Sequence, residues 1–466
     1  RCTMDYSDLL DQHAATHGQD LYAVLGGKRY TYARAWADAE AFVPPSWAAL
    51  FPRTYKAAVL VVTPDLYHQL LAFVALMRAG QVPVLGHYDL PAAAEAQLVE
   101  KNKIAFVLTE RDGQWDLRRG WQEAGETAPP APYQDVCMGV LSSGSTDVPK
   151  VMYRTYDSWA GFFPVQNERF CIDREAVVLT EGSFAFTGNL SVWASVLYAG
   201  ACLVGSSVLN CRQWLRLLAD YGVTVLYLVP TKLKLLTQYL DRAYPSLRMI
   251  LAGSQLLGAR TAERLRAGFP QAEIVLYYGA SEVDYITWLT YDEVLQYPDS
   301  VGKPVPGVRV WCEGGLVYLD TPYHVAGLAQ PCTLHDAGHF NDAGYLIFEG
   351  RVTNIINKGG FKINCTKVQN ALEALEGIVE AVVLPYEDSG RGQEAAAFVV
   401  IEAAARDRVT RASIRKALGG SLMRQEWPKK ICFVPSLPLN SRGKIDQGAL
   451  LCLLAEGMGS PGTAGA

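Results

Sequence analysis

Over most of this 466-residue chain, short apolar runs bounded by turn residues alternate with stretches of helical periodicity, and that alternation constrains the fold most. Val59-Leu60-Val61-Val62 reads as a buried strand, residues 66–78 as an amphipathic helix, and Val82-Pro83-Val84-Leu85 as the next strand. The cycle returns at residues 105–108, 202–204, 225–229 and 274–277, with helices over 211–219 and 233–240 as crossovers. A strand apolar on both faces must be covered on both faces, and helices joining parallel strands achieve this. The expectation is an α/β fold with mostly parallel sheets.

The rhythm changes after about residue 300. Val308-Arg309-Val310-Trp311 and Leu316-Val317-Tyr318-Leu319 flank Glu313-Gly314-Gly315, which reads as a hairpin. Residues 345–348 form a further strand after an Asp-Ala-Gly turn. Beyond Arg351, a helix over 366–375, strands over 381–384 and 396–401, a helix over 412–422 and a strand over 430–434 make a compact α+β unit. A chain this long rarely closes around one core. The expected division is a large N-terminal domain over 4–352 with a β-rich third part, a small mobile α+β domain over 353–456, and a flexible Gly-rich tail over 457–466.

Half the residues are hydrophobic and 19% are charged, which suits a globular protein rather than a disordered one. A net charge of -5 attracts neither nucleic acid nor an anionic membrane. The ten cysteines are scattered without a C-x-x-C pair, as expected of reduced thiols in a cytoplasm. No signal-peptide pattern opens the chain, and the apolar stretch at 57–62 is too short to cross a bilayer. A cytoplasmic protein without a membrane span or nucleic-acid partner is expected. Oligomeric state has no signature here.

Four segments carry chemistry. Ser142-Ser143-Gly144-Ser145-Thr146-Asp147-Val148-Pro149-Lys150 offers hydroxyls, backbone N–H groups freed by a Gly, and a cation, which together can hold phosphate oxygens; a plain Ser/Gly turn would look the same. The Walker spacing is absent. Tyr278-Gly279-Ala280-Ser281-Glu282 follows a predicted strand, at the edge where α/β sheets bind ligands. There Glu282 could hold magnesium or simply face solvent. Asp336 and Arg351 bracket a hairpin and suit a ribose and a phosphate, or form a surface ion pair. Lys444 lies in the polar loop Asn440-Ser441-Arg442-Gly443-Lys444, where a solvated surface lysine is the plain alternative to a delivered cation.

Read in order, these segments resemble the adenylate-forming superfamily of acyl- and aryl-CoA synthetases, nonribosomal peptide synthetase adenylation domains and luciferases. The likeness runs from Tyr30-Thr31-Tyr32 through the serine-rich loop, Ala252-Gly253-Ser254-Gln255, the Tyr278 to Glu282 stretch, Gly302-Lys303-Pro304-Val305-Pro306-Gly307, Asp336 and Gly350-Arg351 to Gly443-Lys444. It implies an enzyme that adenylates a small carboxylic acid with ATP and Mg2+ and passes the acyl group to coenzyme A or to the phosphopantetheine thiol of a carrier protein. On this likeness Ser142, Ser143, Gly144, Ser145, Thr146 and Lys150 hold the triphosphate. Gly253, Ser254 and Gln255 line the adenine, on which Tyr278 stacks beside Gly279 and Ala280. Ser281 touches the α-phosphate, Glu282 ligates magnesium, Asp336 binds the ribose with Arg351 nearby, and Lys444 stabilises charge during adenylation. The likeness also makes Asn354 the hinge and sets Gly359 and Gly360 beside the thiol.

Several positions depart from the family pattern: Asp147 and His335 replace glycines, Val151 replaces the Gly after the loop lysine, and Asn354 replaces the usual Asp or Lys. Asp147 and Asn354 leave open a degenerate nucleotide-binding homologue, and a stand-alone adenylation enzyme serving a carrier protein is a further rival. The acyl pocket is expected around Phe186, Thr187, Gly188, Tyr277, Tyr285 and Ile286. Amino-acid-activating members place an Asp where this chain has Thr187, so an α-amino acid is disfavoured, because a buried ammonium without a partner is costly. An uncharged aryl or unsaturated acyl group fits better.

Overall fold

In a computed structural model, the structure describes residues 4–122, 128–142, 148–253, 257, 259–351, 354–358, 361–388, 392–440 and 444–455. Three sheets organise the chain. The six-stranded sheet is built on parallel Ala58–Val62, Val82–Leu85 and Phe106–Arg111. Met138–Leu141 extends it in parallel, and Val151–Arg154 closes that edge as an antiparallel hairpin. Val59, Leu60, Val82 and Val84 are fully buried, as two covered faces require.

The thirteen-stranded sheet has a parallel and an antiparallel half, with Lys28–Thr31 added antiparallel to Leu21–Leu25 at the outer edge of the first. Leu21–Leu25, Cys202–Ser206, Val177–Glu181, Val225–Tyr227, Met249–Gly253 and Glu273–Ala280 run parallel in that order. From Glu273–Ala280 onward every pairing is antiparallel, through Asp284–Thr290, Ser300–Pro304, Leu346–Arg351, Cys332–Phe340, Leu316–Asp320 and Arg309–Glu313. The change of rhythm near residue 300 thus begins about twenty residues earlier. Helices pack against the parallel half, with Trp214, Leu233 and Leu265 in one core and Phe73, Trp193 and Phe163 in another. The C-terminal part has its own five-stranded sheet and its own core around Ile363, Val368, Val399 and Ile414.

Three expectations need correction. The helix Leu66–Arg78 has the expected bounds but is not amphipathic: only His68, Leu71 and Arg78 escape burial, because it lies between the six-stranded sheet and two N-terminal helices. The crossover expected over 233–240 is Pro230–Thr237, since Pro230 presets the first helical turn, and the preceding strand ends at Tyr227. Tyr278, Gly279 and Ala280 lie within a strand rather than after one, held by antiparallel pairing to Asp284–Thr290. The helix Gln447–Ala455 beyond Lys444 has no counterpart among the expected elements. Among the described residues no helix is long and apolar enough to cross a membrane, and the cysteines are all free.

Candidate active site

The serine-rich segment connects two antiparallel strands of the six-stranded sheet, whose last ladder pair is Leu141 with Val151. Ser142 N–H donates to the Lys150 carbonyl at 2.9 Å, and Lys150 N–H donates to Ser142 Oγ at 2.9 Å. Asn102 clamps the same base: its Nδ2 donates to the Pro149 carbonyl at 3.0 Å and its Oδ1 accepts from Val151 N–H at 2.8 Å. Lys150 is exposed. Ser143, Gly144, Ser145, Thr146 and Asp147 lie outside the described residues.

Gly253 ends its parallel strand directly opposite Tyr277 in the neighbouring strand. Ser254 and Gln255 lie outside the described residues. Tyr278 sits where the sheet turns from parallel to antiparallel, and a bulge follows it at Gly279. A Cβ on Gly279 would come within 2.3 Å of the Asp284 carbonyl oxygen, so this crossing requires glycine. The Tyr278 hydroxyl donates to Oδ2 of Asp336, which is 1% exposed, while the Tyr278 ring packs on Phe348 and is 3% exposed. A base stacking on Tyr278 would therefore have to displace a neighbour. Asp336 and Arg351 are direct cross-strand partners, as bracketing a hairpin requires. His335 adopts φ +60, which explains in conformational terms why glycine suits that position. Ser281 and Glu282 are partly exposed, with the Glu282 carbonyl accepting from Val325 N–H at 2.9 Å.

Of the residues expected at an acyl pocket, Tyr277, Tyr285 and Gly188 meet around Tyr227. Phe186 caps the helix Thr187–Ala199 and lies 4.7 Å, ring to ring, from His87. The Tyr277 hydroxyl donates to the Tyr227 hydroxyl at 3.0 Å, and the Tyr277 and Tyr285 rings meet edge-on at 4.7 Å. Gly188 leaves the space that the Tyr227 hydroxyl fills: a Cβ there would stand 2.1 Å from it. Burial pushes the Tyr227, Tyr277 and Tyr285 phenols up, so these hydroxyls stay protonated. Ile286 is fully buried. Tyr227 escapes a reading of the sequence because it lies in an apolar run, Val225-Leu226-Tyr227-Leu228-Val229, that signals only a strand.

Asn354 is exposed, and Gly359 and Gly360 lie outside the described residues. Lys444 is exposed and precedes Ile445, which forms an isolated β-bridge with Leu439. Asn440 N–H donates to the Lys444 carbonyl at 2.7 Å, and Lys444 N–H donates to Asn440 Oδ1 at 3.1 Å. Among the described residues no group of three or more His, Cys, Asp or Glu could hold a metal.

The pattern of the AMP-binding enzyme family matches residues 10–312, and that of the AMP-binding enzyme C-terminal domain matches residues 367–444. An uncharacterized acyl–CoA ligase, YhfT of Bacillus subtilis, is 26% identical over 68% of each chain. The 2,3-dihydroxybenzoate-AMP ligase of the same organism is 24% identical, covering 97% of this chain and 94% of that protein. The solved structure of the anthranilate CoA ligase AuaEII superposes with a TM-score of 0.81 over 98% of this chain and 99% of that one, at 16% identity. The chain belongs to the AMP-binding enzyme family.

Proposed function

We propose that this protein is an AMP-forming acid–thiol ligase. A substrate carboxylate oxygen attacks the α-phosphorus of ATP, forming an O–P bond while pyrophosphate leaves. A thiol sulfur then attacks the acyl carbon, a C–S bond forms, the thiol proton is released, and AMP departs. The observation that carries this reading is the bond from the Tyr278 hydroxyl to Asp336, two residues with nucleoside-binding roles in the resemblance that lie 58 positions apart.

In this reading the Ser142–Lys150 segment cradles the triphosphate through Ser143, Gly144, Ser145 and Thr146, with Lys150 adding charge. Gly253, Ser254, Gln255 and Tyr278 face the base, Asp336 takes the ribose with Arg351 beside it, and Ser281 meets the α-phosphate. Glu282 would hold Mg2+; a single carboxylate fits, because magnesium at such sites usually takes one or two carboxylates and completes its shell with phosphates and water. Lys444 neutralises charge developing at phosphorus and makes no covalent bond. The domains divide as 4–352 and 353–456, with Asn354 as hinge and Gly359 and Gly360 beside the thiol.

The acid we favour is an uncharged aryl or unsaturated acyl acid, supported by the protonated tyrosine wall and by Thr187 in place of a carboxylate. The thiol belongs to coenzyme A or to a carrier protein, and the compartment is the cytoplasm. Pyrophosphate–ATP exchange across a panel of carboxylic acids with MgATP tests the reading. Exchange stimulated by at least one aryl or unsaturated acid is expected. Nucleotide binding without exchange on any acid would mean a degenerate binder instead. Adding coenzyme A, then a phosphopantetheinylated carrier protein, separates the acceptors.

A further inference from the structure

Arg154 is wholly sealed from solvent, yet among the described residues its Nη1 and Nη2 are spent on backbone and hydroxyl acceptors rather than on a direct ion pair, and its Nε has no hydrogen-bond partner. Nη2 donates to the Ser281 carbonyl at 2.8 Å. Nη1 donates to the Tyr323 carbonyl at 3.0 Å, the Ser158 carbonyl at 3.3 Å and Ser158 Oγ at 3.2 Å. The cation also lies 5.1 Å from the Trp159 ring centre. Burying a guanidinium is costly unless its donors are satisfied, so packing alone would favour an apolar residue here. What sets this arginine apart is what it joins. It ends the strand Val151–Arg154, which begins at the residue after Lys150, and it reaches the carbonyl of Ser281, next to Glu282.

The segment from Tyr323 to Ala326 runs between the same two places. The Tyr323 carbonyl accepts from Arg154, Val325 N–H donates to the Glu282 carbonyl at 2.9 Å, and Ala326 N–H donates to the Tyr153 carbonyl at 2.8 Å. The phosphate-loop strand and the Ser281–Glu282 turn belong to different sheets and meet through these rungs. Asp284, two residues after Glu282, has its Oδ2 out of solvent and without a hydrogen-bond partner among the described residues. When ionised, its carboxylate supports the buried guanidinium.

We infer that Arg154 is a positioning residue: with the Tyr323–Ala326 segment it braces Ser281 and Glu282 against the base of the Ser142–Lys150 loop, so that triphosphate and metal are met in register. The inference rests on the AMP-forming reading. Its test compares Arg154→Lys and Arg154→Met in Mg2+ and ATP titrations of pyrophosphate exchange, with thermal unfolding and calorimetric MgATP binding alongside. Arg154→Met is expected to lose roughly a hundredfold in kcat, the scale of a small misplacement of reacting groups. Its half-saturating Mg2+ should rise while the KM for the acid stays near wild type. Arg154→Lys, keeping the charge but not the fork, should recover part of the loss. Variants with wild-type Mg2+ and ATP dependence per folded molecule, with only stability lost, would overturn the inference.

Should both variants fail to fold, Ser158→Ala removes one acceptor and keeps the cation. A shift in Mg2+ dependence in the same direction supports the brace, and an unshifted titration overturns it. If the wild-type protein exchanges with no acid, the AMP-forming reading fails on its own. MgATP affinity, weakened in Arg154→Lys or unchanged, then still decides for or against the brace.

Discussion

Two cations show how differently this molecule treats charge. Arg154 is buried, with acceptors on three separate segments, whereas Lys444 is exposed and its main chain is held by Asn440 beside a small bridge. A cation bonded to several segments can only hold them still. A cation on an exposed turn of a part with its own sheet and core can be brought to a site and withdrawn. The difference teaches that the two halves of the proposed chemistry ask for opposite things: a rigid cradle for nucleotide and metal, and a removable charge for one step of two.

The comparison breaks most decisively at Lys444. Lys444→Ala is expected to slow adenylate formation by about 10²–10³-fold, the scale of losing one transition-state donor. Acyl transfer from supplied acyl-adenylate to a thiol should remain, and the melting temperature should not move. Equal loss in both half-reactions would place the lysine on the rigid side. Asp336→Ala, in the proposed cradle, should cost on both counts. It strands the buried Tyr278 hydroxyl, for about 1–3 kcal/mol of stability, and weakens MgATP binding, read by unfolding and calorimetry. Unchanged nucleotide affinity would remove Asp336 from the site.

Gly188→Ala sharpens the picture of the acid pocket. Its Cβ would strike the Tyr227 hydroxyl, and overpacking of this kind costs about 1–3 kcal/mol. The acid profile should shift toward smaller acids, and Tyr227→Phe in the same chain should restore it. A profile unmoved by either change would set these residues apart from the substrate.

A pH-dependent effect concerns Asp284, whose carboxyl burial pushes up to about 7, with Arg154 pulling the other way. The folded protein therefore holds this proton more tightly than the unfolded chain does. The stability it contributes is complete below the ordinary carboxylate range and is lost as pH rises through about 7. Asp284→Asn cannot ionise, and Asn tolerates the positive φ of that position. Between about pH 4 and 7, wild type should lose a few degrees of melting temperature relative to the variant, and the two should run parallel above. A flat difference across that window would show that Asp284 keeps an ordinary carboxylate.

Much of the fold is legible in local periodicity alone. The strands Ala58–Val62 and Val82–Leu85 and the hairpin around Gly314 stand out in the sequence, because the spacing of apolar residues reports which faces are covered; for the helix Leu66–Arg78 it gave the bounds but not the full burial. Asp336 and Arg351 bracket a hairpin in the sequence, and they are register partners in the sheet. The misses are of another kind. Tyr278 reads as a turn residue but lies in a strand, because antiparallel pairing with a later strand extends Glu273–Ala280. Arg154, Tyr227 and Asp284 give no signal at all. Arg154 and Asp284 matter through neighbours more than a hundred positions away, and Tyr227 through Tyr277, fifty positions on.

By itself, the sequence determined the class of fold, since alternating apolar runs and helices admit few other packings, and it determined the order of residue types that marks the family. Only the tertiary structure decided where the parallel sheet turns antiparallel, that Tyr278 and Asp336 are bonded, and that a buried arginine joins two sheets. The reason is physical. Burial patterns repeat every two or 3.6 residues and leave a local trace, whereas a hydrogen bond between distant segments follows no period and exists only once the chain has closed.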